Sequence, residues 1–129
     1  MHYLGFVIVS EPTETAVAEA LAPFKDQEWD WYRCGGRWDG YLQGETPRYN
    51  FEDIHDQVAR NSYRVRDLPA LIPYFVVFDG KWLSRKKWDY RAHTFVEVSE
   101  YHDKVRDALA ERHDDYVVLV DAHNRVPGP

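Results

Sequence analysis

The chain has 129 residues, a formal net charge of −6, and 44% hydrophobic and 29% charged residues. This length favours a single domain, and this composition is too apolar for a disordered chain. The negative charge argues against binding to duplex nucleic acid, which depends on cationic groups displacing counterions from phosphate. Aromatic residues make up 16% of the chain, a share high enough to serve binding surfaces as well as a core.

Strand and helix patterns alternate in the first part of the chain. An apolar run from Tyr3 to Val9 predicts a strand buried on both faces. After it, Ser10 or Thr13 is a candidate N-cap for an amphipathic helix that ends near Pro23. The segment 28–42, EWDWYRCGGRWDGYL, predicts two short strands joined at a glycine bend, because each of two adjacent glycines costs about 1 kcal/mol in a helix.

Strands dominate the second part of the chain. A short helix capped by Asn50, which carries Phe51, Ile54 and Val58, is followed by an irregular stretch 60–73. A strand from Tyr74 to Phe78 then leads to a hairpin turn at Asp79-Gly80 and a return strand 81–83. The last predicted elements are a strand from Thr94 to Val98, a helix capped by Ser99, and a strand from Tyr116 to Val120. The Asp-Gly pair is the strongest local signal, because this dipeptide suits the tight turn of a hairpin.

The order of these elements indicates a fold of the α+β class. The order is strand, helix, strands, strand, helix and strand. It matches the ferredoxin-like βαββαβ sandwich, with the middle expanded by an extra hairpin and a short helix. We assign one domain to residues 1–124 and a C-terminal tail to residues 125–129. An edge strand could also pair across a two-fold axis to form a homodimer, which the sequence does not decide.

The glycine bend is the first candidate site. Gly35 and Gly36 let another group approach the main chain closely, and Arg37 offers a planar cation suited to phosphate or carboxylate. With Trp29, Trp31 and Trp38 as flat faces, these residues could hold an anionic ring compound such as a nucleotide. The alternative is structural: the glycines form a bulge, Trp31 and Trp38 pack in the core, and Arg37 pairs with a local acid such as Asp30 or Asp39.

The basic, aromatic stretch 81–91, KWLSRKKWDYR, is the second candidate site. It contains five cationic residues and a single acidic residue, Asp89. With Trp82, Lys86 and Trp88 it has the composition of a contact surface for a nucleotide, a single-stranded nucleic acid or an acidic protein. The alternative is an ordinary solvated hairpin.

Asp121 and His123 form the third candidate site, at the end of the last predicted strand. Their spacing of two places both side chains on one face of a strand. Such a pair could bind a divalent metal or act as an oriented general base, and the alternative is a pair of surface residues near the end of a strand. A metal site would need a third ligand, for which the candidates are Asp39, His2, His55 and Asp56.

Four segments of the chain carry a resemblance to a known group of proteins. WDWYRCGGRWDGYL, DQVARNSYRVRDL, YFVVFDGKWL and VVLVDAHN resemble, in this order, motifs of small uncharacterised proteins of bacteriophages and their actinobacterial hosts. The resemblance spans roughly residues 29 to 124 and implies a setting, with no established activity. The residues that it singles out are Gly35, Gly36, Arg37, Trp38, Gly80, Trp82, Asp121 and His123.

The chain departs from that group at two positions. Leu83 follows the tryptophan of Asp-Gly-x-Trp, where such proteins often have histidine, and DAHN lacks the cysteine often found in the terminal motif. These departures weaken the case for metal or thiol chemistry at those positions.

We therefore expect a non-enzymatic accessory protein of phage or mobile-element type that binds a host protein or a small anionic, nucleotide-like ligand. No cofactor, bound metal or membrane partner is predicted, since the chain has no nucleotide-loop fingerprint and no long apolar run. A single cysteine, Cys34, fits the reducing cytoplasm of a host cell. The alternative is a small metal-assisted phosphoesterase built on Asp121, His123 and Asp39.

Overall fold

The computed structural model describes residues 1–45, 58–69 and 71–124. Its regular elements are, in chain order, β1 (His2–Val9), α1 (Glu14–Leu21), β2 (Trp31–Cys34), β3 (Ser62–Arg64), β4 (Phe75–Phe78), β5 (Lys81–Ser84), β6 (Lys86–Asp89), β7 (Thr94–Glu97), α2 (Tyr101–Ala110) and β8 (Tyr116–His123). Within these described ranges, no helix is long and apolar enough to span a bilayer.

Six of the strands form one mixed sheet. The order is β2-β8-β1-β4-β5, and β3 pairs with β8 beyond the end of β2. β1 and β4 run parallel, whereas β8 is antiparallel to β1, β2 and β3, and β5 is antiparallel to β4. Strands β6 and β7 make a separate two-stranded hairpin.

The α+β class is confirmed, and the ferredoxin-like βαββαβ arrangement is not. Within the described residues the structure has eight strands, and β1 pairs in parallel with β4. Hydrophobic periodicity identifies strands but carries no information on which strands become neighbours. The order of strands in the sheet could therefore not be predicted from this periodicity.

Each face of the sheet is covered by one helix, which explains why β1 is apolar on both sides. Val7 packs with Val17 of α1, and Phe6 packs with Val105 of α2. All four side chains are fully buried. We call these two sides the α1 face and the α2 face.

Several predicted boundaries are confirmed. The side chain of Thr13 accepts a hydrogen bond from the Ala16 N–H and caps α1, as one of the two predicted alternatives required. The turn between β4 and β5 has positive φ at both Asp79 and Gly80, the conformation that makes Asp-Gly a favoured hairpin dipeptide. The predicted helix capped by Asn50 lies outside the described residues, except for Val58.

Other boundaries were wrong. The segment 28–42 contains one strand, β2, followed by two short 3₁₀ turns, because Gly35 and Gly36 turn the chain away from the sheet. Strand β3 lies in the stretch predicted to be irregular. With only three residues, it is too short to show the alternation of apolar and polar side chains that identifies a strand. Ser99 does not cap α2, since Glu100 occupies the cap position with a left-handed backbone. β8 continues past Val120 to His123.

Candidate functional sites

The Gly35-Gly36 turn brings the backbone of Arg37 onto Asp121. Gly35 and Gly36 have φ of +77° and +54°, a region in which side chains other than glycine are strained. The Arg37 N–H donates to Oδ2 of Asp121 at 2.9 Å. A Cβ added to Gly36 would lie 2.5 Å from the Cβ of Asp121, so only glycine permits this approach.

A second polar network holds the far side of the same turn. Asp39 and Asn61 are both buried, and Nδ2 of Asn61 donates to Oδ1 of Asp39 at 2.8 Å. Oδ1 of Asn61 accepts from the Gly40 N–H, and Nε of Arg60 lies 3.1 Å from Asp39. Asp39, which we considered as a metal ligand beside Asp121 and His123, instead forms this structural link between two loops.

Two histidine–aspartate pairs stand side by side on the α2 face, at one end of the sheet. Nδ1 of His2 lies 2.8 Å from Oδ1 of Asp121, and Nδ1 of His123 lies 2.6 Å from Oδ1 of Asp30. Asp121 is fully buried, whereas Asp30 and His123 are partly exposed. We call these four residues, together with Trp31, the paired-histidine site.

Strand register places the rings of this site together. His123 of β8 is opposite His2 of β1 on one side and opposite Trp31 of β2 on the other. The two imidazole centroids are 5.5 Å apart, and the indole lies 5.5 Å from His2 and 6.2 Å from His123. The guanidinium carbon of Arg33, two residues along β2, lies 5.6 Å from the Trp31 ring.

The structure changes the prediction for Asp121 and His123. They share a face, as their spacing required, but each is paired with a different residue. His2, one of the proposed third ligands, contacts Asp121 by a hydrogen bond and His123 by ring packing. Of the other proposed ligands, His55 and Asp56 lie outside the described residues. Among residues 1–45, 58–69 and 71–124, no group of three or more His, Cys, Asp or Glu side chains is arranged to hold a metal ion.

The tryptophans of the segment 28–42 have three different environments. Trp29 is buried on the α1 face, where its indole N–H donates to the Leu21 carbonyl at 2.8 Å. Trp38 packs against the core of the α2 face. Trp31 is 37% exposed, so the structural alternative, in which Trp31 and Trp38 pack in the core, is wrong for Trp31.

A cavity of about 420 Å³ lies mainly on the α1 face, between the main sheet and the β6–β7 hairpin. Trp82, Lys86 and Trp88, the three predicted binding residues of the basic stretch, all line it. Its other aromatic lining residues are Tyr3, Tyr74, Phe75, Tyr90, Phe95 and Tyr101. None of residues 35–38 lines this cavity, so the predicted ligand-binding residues divide between two places. We call this space the aromatic cavity.

Stacked rings build the walls of the aromatic cavity. Phe75 and Trp82 stack with centroids 4.3 Å apart and planes 7° from parallel. Tyr3 and Tyr74 stack at 4.4 Å. On the hairpin side, Trp88 contacts Phe95 edge to face at 5.1 Å. The cavity is therefore bounded by flat aromatic surfaces.

Two kinds of ionisable side chain line the aromatic cavity. Some are buried in its wall and poorly hydrated, and others are exposed lysines at its rim. Burial, with a smaller contribution from Tyr3, raises the pKa of Tyr74 to about 12, and burial also raises the pKa of Glu28. Three lysines line the cavity and are exposed: Lys86, Lys87 and Lys104. Glu28 is the one carboxylate among the described lining residues, so lysine ammonium groups outnumber it.

Two indole donors of the cavity wall lack an acceptor. Nε1 of Trp82 and Nε1 of Trp88 are covered by protein, and neither has a hydrogen-bond partner within the described part of the chain. A buried donor without an acceptor costs about 1 to 3 kcal/mol.

Sequence reasoning missed Asn61 and the tyrosines of the cavity, and it considered Asp30 only as a partner of Arg37. Asp30 becomes recognisable as the partner of His123 only when β2 is placed beside β8, since 93 residues separate the two. Asn61 lies in a stretch predicted to be irregular. Tyr3 and Tyr74 were interpreted as strand residues alone, although their position at the ends of two parallel neighbouring strands puts them beside each other.

The chain matches no family model, no curated protein and no solved structure. The resemblance to small phage proteins therefore stays a prediction. The chemistry of the paired-histidine site and of the aromatic cavity is what bears on function.

Proposed function

We propose that this protein binds a small, planar, anionic ligand of nucleotide size in the aromatic cavity. The observation that carries the proposal is the convergence of Trp82, Lys86 and Trp88 on one space of about 420 Å³. The composition of the stretch 81–91 predicts the same three residues as a contact surface. Ligand pockets in proteins typically enclose about 300 to 1,000 Å³, so the volume suits a mononucleotide.

Ring stacking supports a planar ligand. The Trp82 ring stacks on Phe75, and the Trp88 ring contacts Phe95 edge to face. Stacking of one base on an aromatic side chain contributes about 1 to 3 kcal/mol.

The charge of the rim supports an anion. Lys86, Lys87 and Lys104 are exposed, as a charged rim around an apolar interior requires. An aromatic cavity with a carboxylate could instead hold an organic cation. Here the three lysines of the rim outnumber Glu28, the one carboxylate among the described lining residues, which disfavours a cation as the occupant.

Titration calorimetry with the four nucleoside monophosphates tests this proposal, with adenosine as the uncharged counterpart of AMP and choline as the organic cation. We expect at least one nucleotide to bind at least ten-fold more tightly than adenosine, because the lysines act only on the phosphate. Binding of choline alone, or equal binding of AMP and adenosine, would contradict an anion site. Absence of binding by all four nucleotides to the folded protein would reject the proposal.

Two variants locate the binding. Trp88→Ala should weaken the nucleotide by about ten-fold or more through lost stacking. Lys86→Ala should weaken the nucleotide and leave adenosine unchanged, whereas Lys25→Ala, an exposed lysine outside the cavity, should change neither. The phage or mobile-element setting, a cytoplasmic location and a host-protein partner stay predictions beside this proposal.

A further inference from the structure

We propose that the aromatic cavity selects guanine among the common nucleobases, through hydrogen bonds from the base to the carboxylate of Glu28. This choice of base rests on the proposed binding of a nucleotide in the cavity. It depends on where Glu28 lies, on the partners that it has, and on the donors that each base presents.

The hydrogen-bonding side chains of the cavity and its lysines come from different elements. Gln27 and Glu28 follow α1 and the short turn at its end, and Asn124 follows β8. The three rim lysines belong to β6 and α2. A nucleotide likewise carries its phosphate and the hydrogen-bonding edge of its base on different parts of the molecule, so one ligand can use both sets.

Glu28 lies beside the aromatic walls of the cavity. Burial raises the pKa of Tyr74 to about 12, with smaller contributions from its neighbours that include the charge of Glu28, so these two side chains are close. The Glu28 N–H donates to the Phe24 carbonyl at 2.9 Å, and the Phe24 ring centroid lies 5.5 Å from that of Trp82. A base packed against Tyr74 or Trp82 therefore has the Glu28 carboxylate near its edge.

The carboxylate of Glu28 can accept hydrogen bonds from a ligand. The side chain is partly exposed, and within the described part of the chain it forms neither an ion pair nor a hydrogen bond. Burial raises the pKa of Glu28, whereas an ammonium group in contact with it would lower the pKa. The rim lysines therefore do not neutralise this carboxylate.

Guanine is the base whose donors match a carboxylate. Its N1–H and its N2 amino group are adjacent on one edge, and two carboxylate oxygens accept such a pair side by side. Adenine and cytosine place a ring-nitrogen acceptor beside the amino group, and the lone pair of that nitrogen repels a carboxylate oxygen. Uracil has a single N–H between two carbonyl oxygens. A carboxylate at the edge of the base therefore favours guanine over the other three.

Titration calorimetry with GMP, IMP and AMP tests the choice of base. IMP differs from GMP only in lacking the N2 amino group, so it keeps the phosphate, the N1–H and the ring system. We expect GMP to bind about ten-fold or more tightly than IMP, because a hydrogen bond to a charged acceptor is a strong one. AMP, which has neither of the two guanine donors in the same place, should bind no better than IMP.

Glu28→Gln replaces the carboxylate with an amide of nearly the same shape. The amide offers one donor and one acceptor, a pattern that suits adenine better than guanine. Affinity for GMP should therefore fall by about ten-fold or more, while affinity for AMP is retained or improved. Glu19→Gln changes an exposed acid of α1 that does not line the cavity, and this matched control should alter neither affinity.

Two results would overturn the choice of guanine and leave nucleotide binding in place: equal affinities for GMP, IMP and AMP, or a preference for GMP that survives in Glu28→Gln. Equal losses of GMP and AMP binding in Glu28→Gln would also contradict a contact with the base, whereas retained AMP binding shows that the variant is folded. Absence of binding by all three nucleotides to the unmodified protein would instead count against the proposed function itself.

Discussion

Gly36 is the residue at which a single added methyl group would have the largest effect on the paired-histidine site. We expect Gly36→Ala to reduce the free energy of unfolding by about 1 to 3 kcal/mol for the strained backbone alone. The contact of the new Cβ with Asp121 adds to this cost. Gly80→Ala is the control, because φ at Gly80 is +71° and no described atom lies within 4 Å of its added Cβ. Chemical denaturation of both variants measures the difference, and equal losses would show that the contact with Asp121 carries no weight.

At the residue scale, the sequence predicted individual partners less well than residue types. Asp121, His123, Trp82 and Trp88 were selected because their chemistry is uncommon in an ordinary strand or hairpin. Their partners come from distant parts of the chain, as for Asp121 and His2, which are 119 residues apart. Such pairing depends on the order and register of strands, which no local pattern contains.

The β6–β7 hairpin forms one side of the aromatic cavity. Among the described residues it pairs with no strand of the main sheet, and an isolated two-stranded hairpin is marginal in water. We therefore expect residues 86–97 to exchange their amide hydrogens faster than β1 and β8. A nucleotide bound against Trp88 should slow this exchange without changing that of β1. Hydrogen exchange measured with and without AMP checks both expectations, and protection of the free hairpin equal to that of β1 would contradict them.

At the element scale, long apolar runs and strong turn signals were predictable, and short elements were not. β1, β4 and β8 are buried over several residues, and the Asp79-Gly80 turn forces the next strand back beside β4. β3 has only three residues and is fixed by pairing with β8, so its sequence alone carries too little signal. The second strand predicted in the segment 28–42 does not form, because the chain turns at Gly35 and Gly36, which lie against Asn61 and Asp121 respectively.

For the whole molecule, the buried phenols predict a loss of stability in alkali. Burial raises the pKa of Tyr74 to about 12, and it also raises the pKa values of Tyr3 and Tyr101. In the unfolded chain these phenols ionise near pH 10, so between about pH 10 and 12 the unfolded state releases protons that the folded state retains. The free energy of unfolding is therefore unaffected by these groups below pH 10 and falls as pH rises toward 12.

Tyr74→Phe separates this effect from the deprotonation of lysines, which occurs over the same range of pH. The variant keeps the ring that stacks on Tyr3 and has no proton to lose. Its free energy of unfolding should therefore fall less steeply between pH 10 and 12 than that of the unmodified protein, as measured by urea denaturation at several pH values. Identical slopes would mean that the Tyr74 phenol is hydrated in the folded state. Its wall of the aromatic cavity would then be open to water, and the proposed binding of a planar anion would lose the poorly hydrated surface on which it depends.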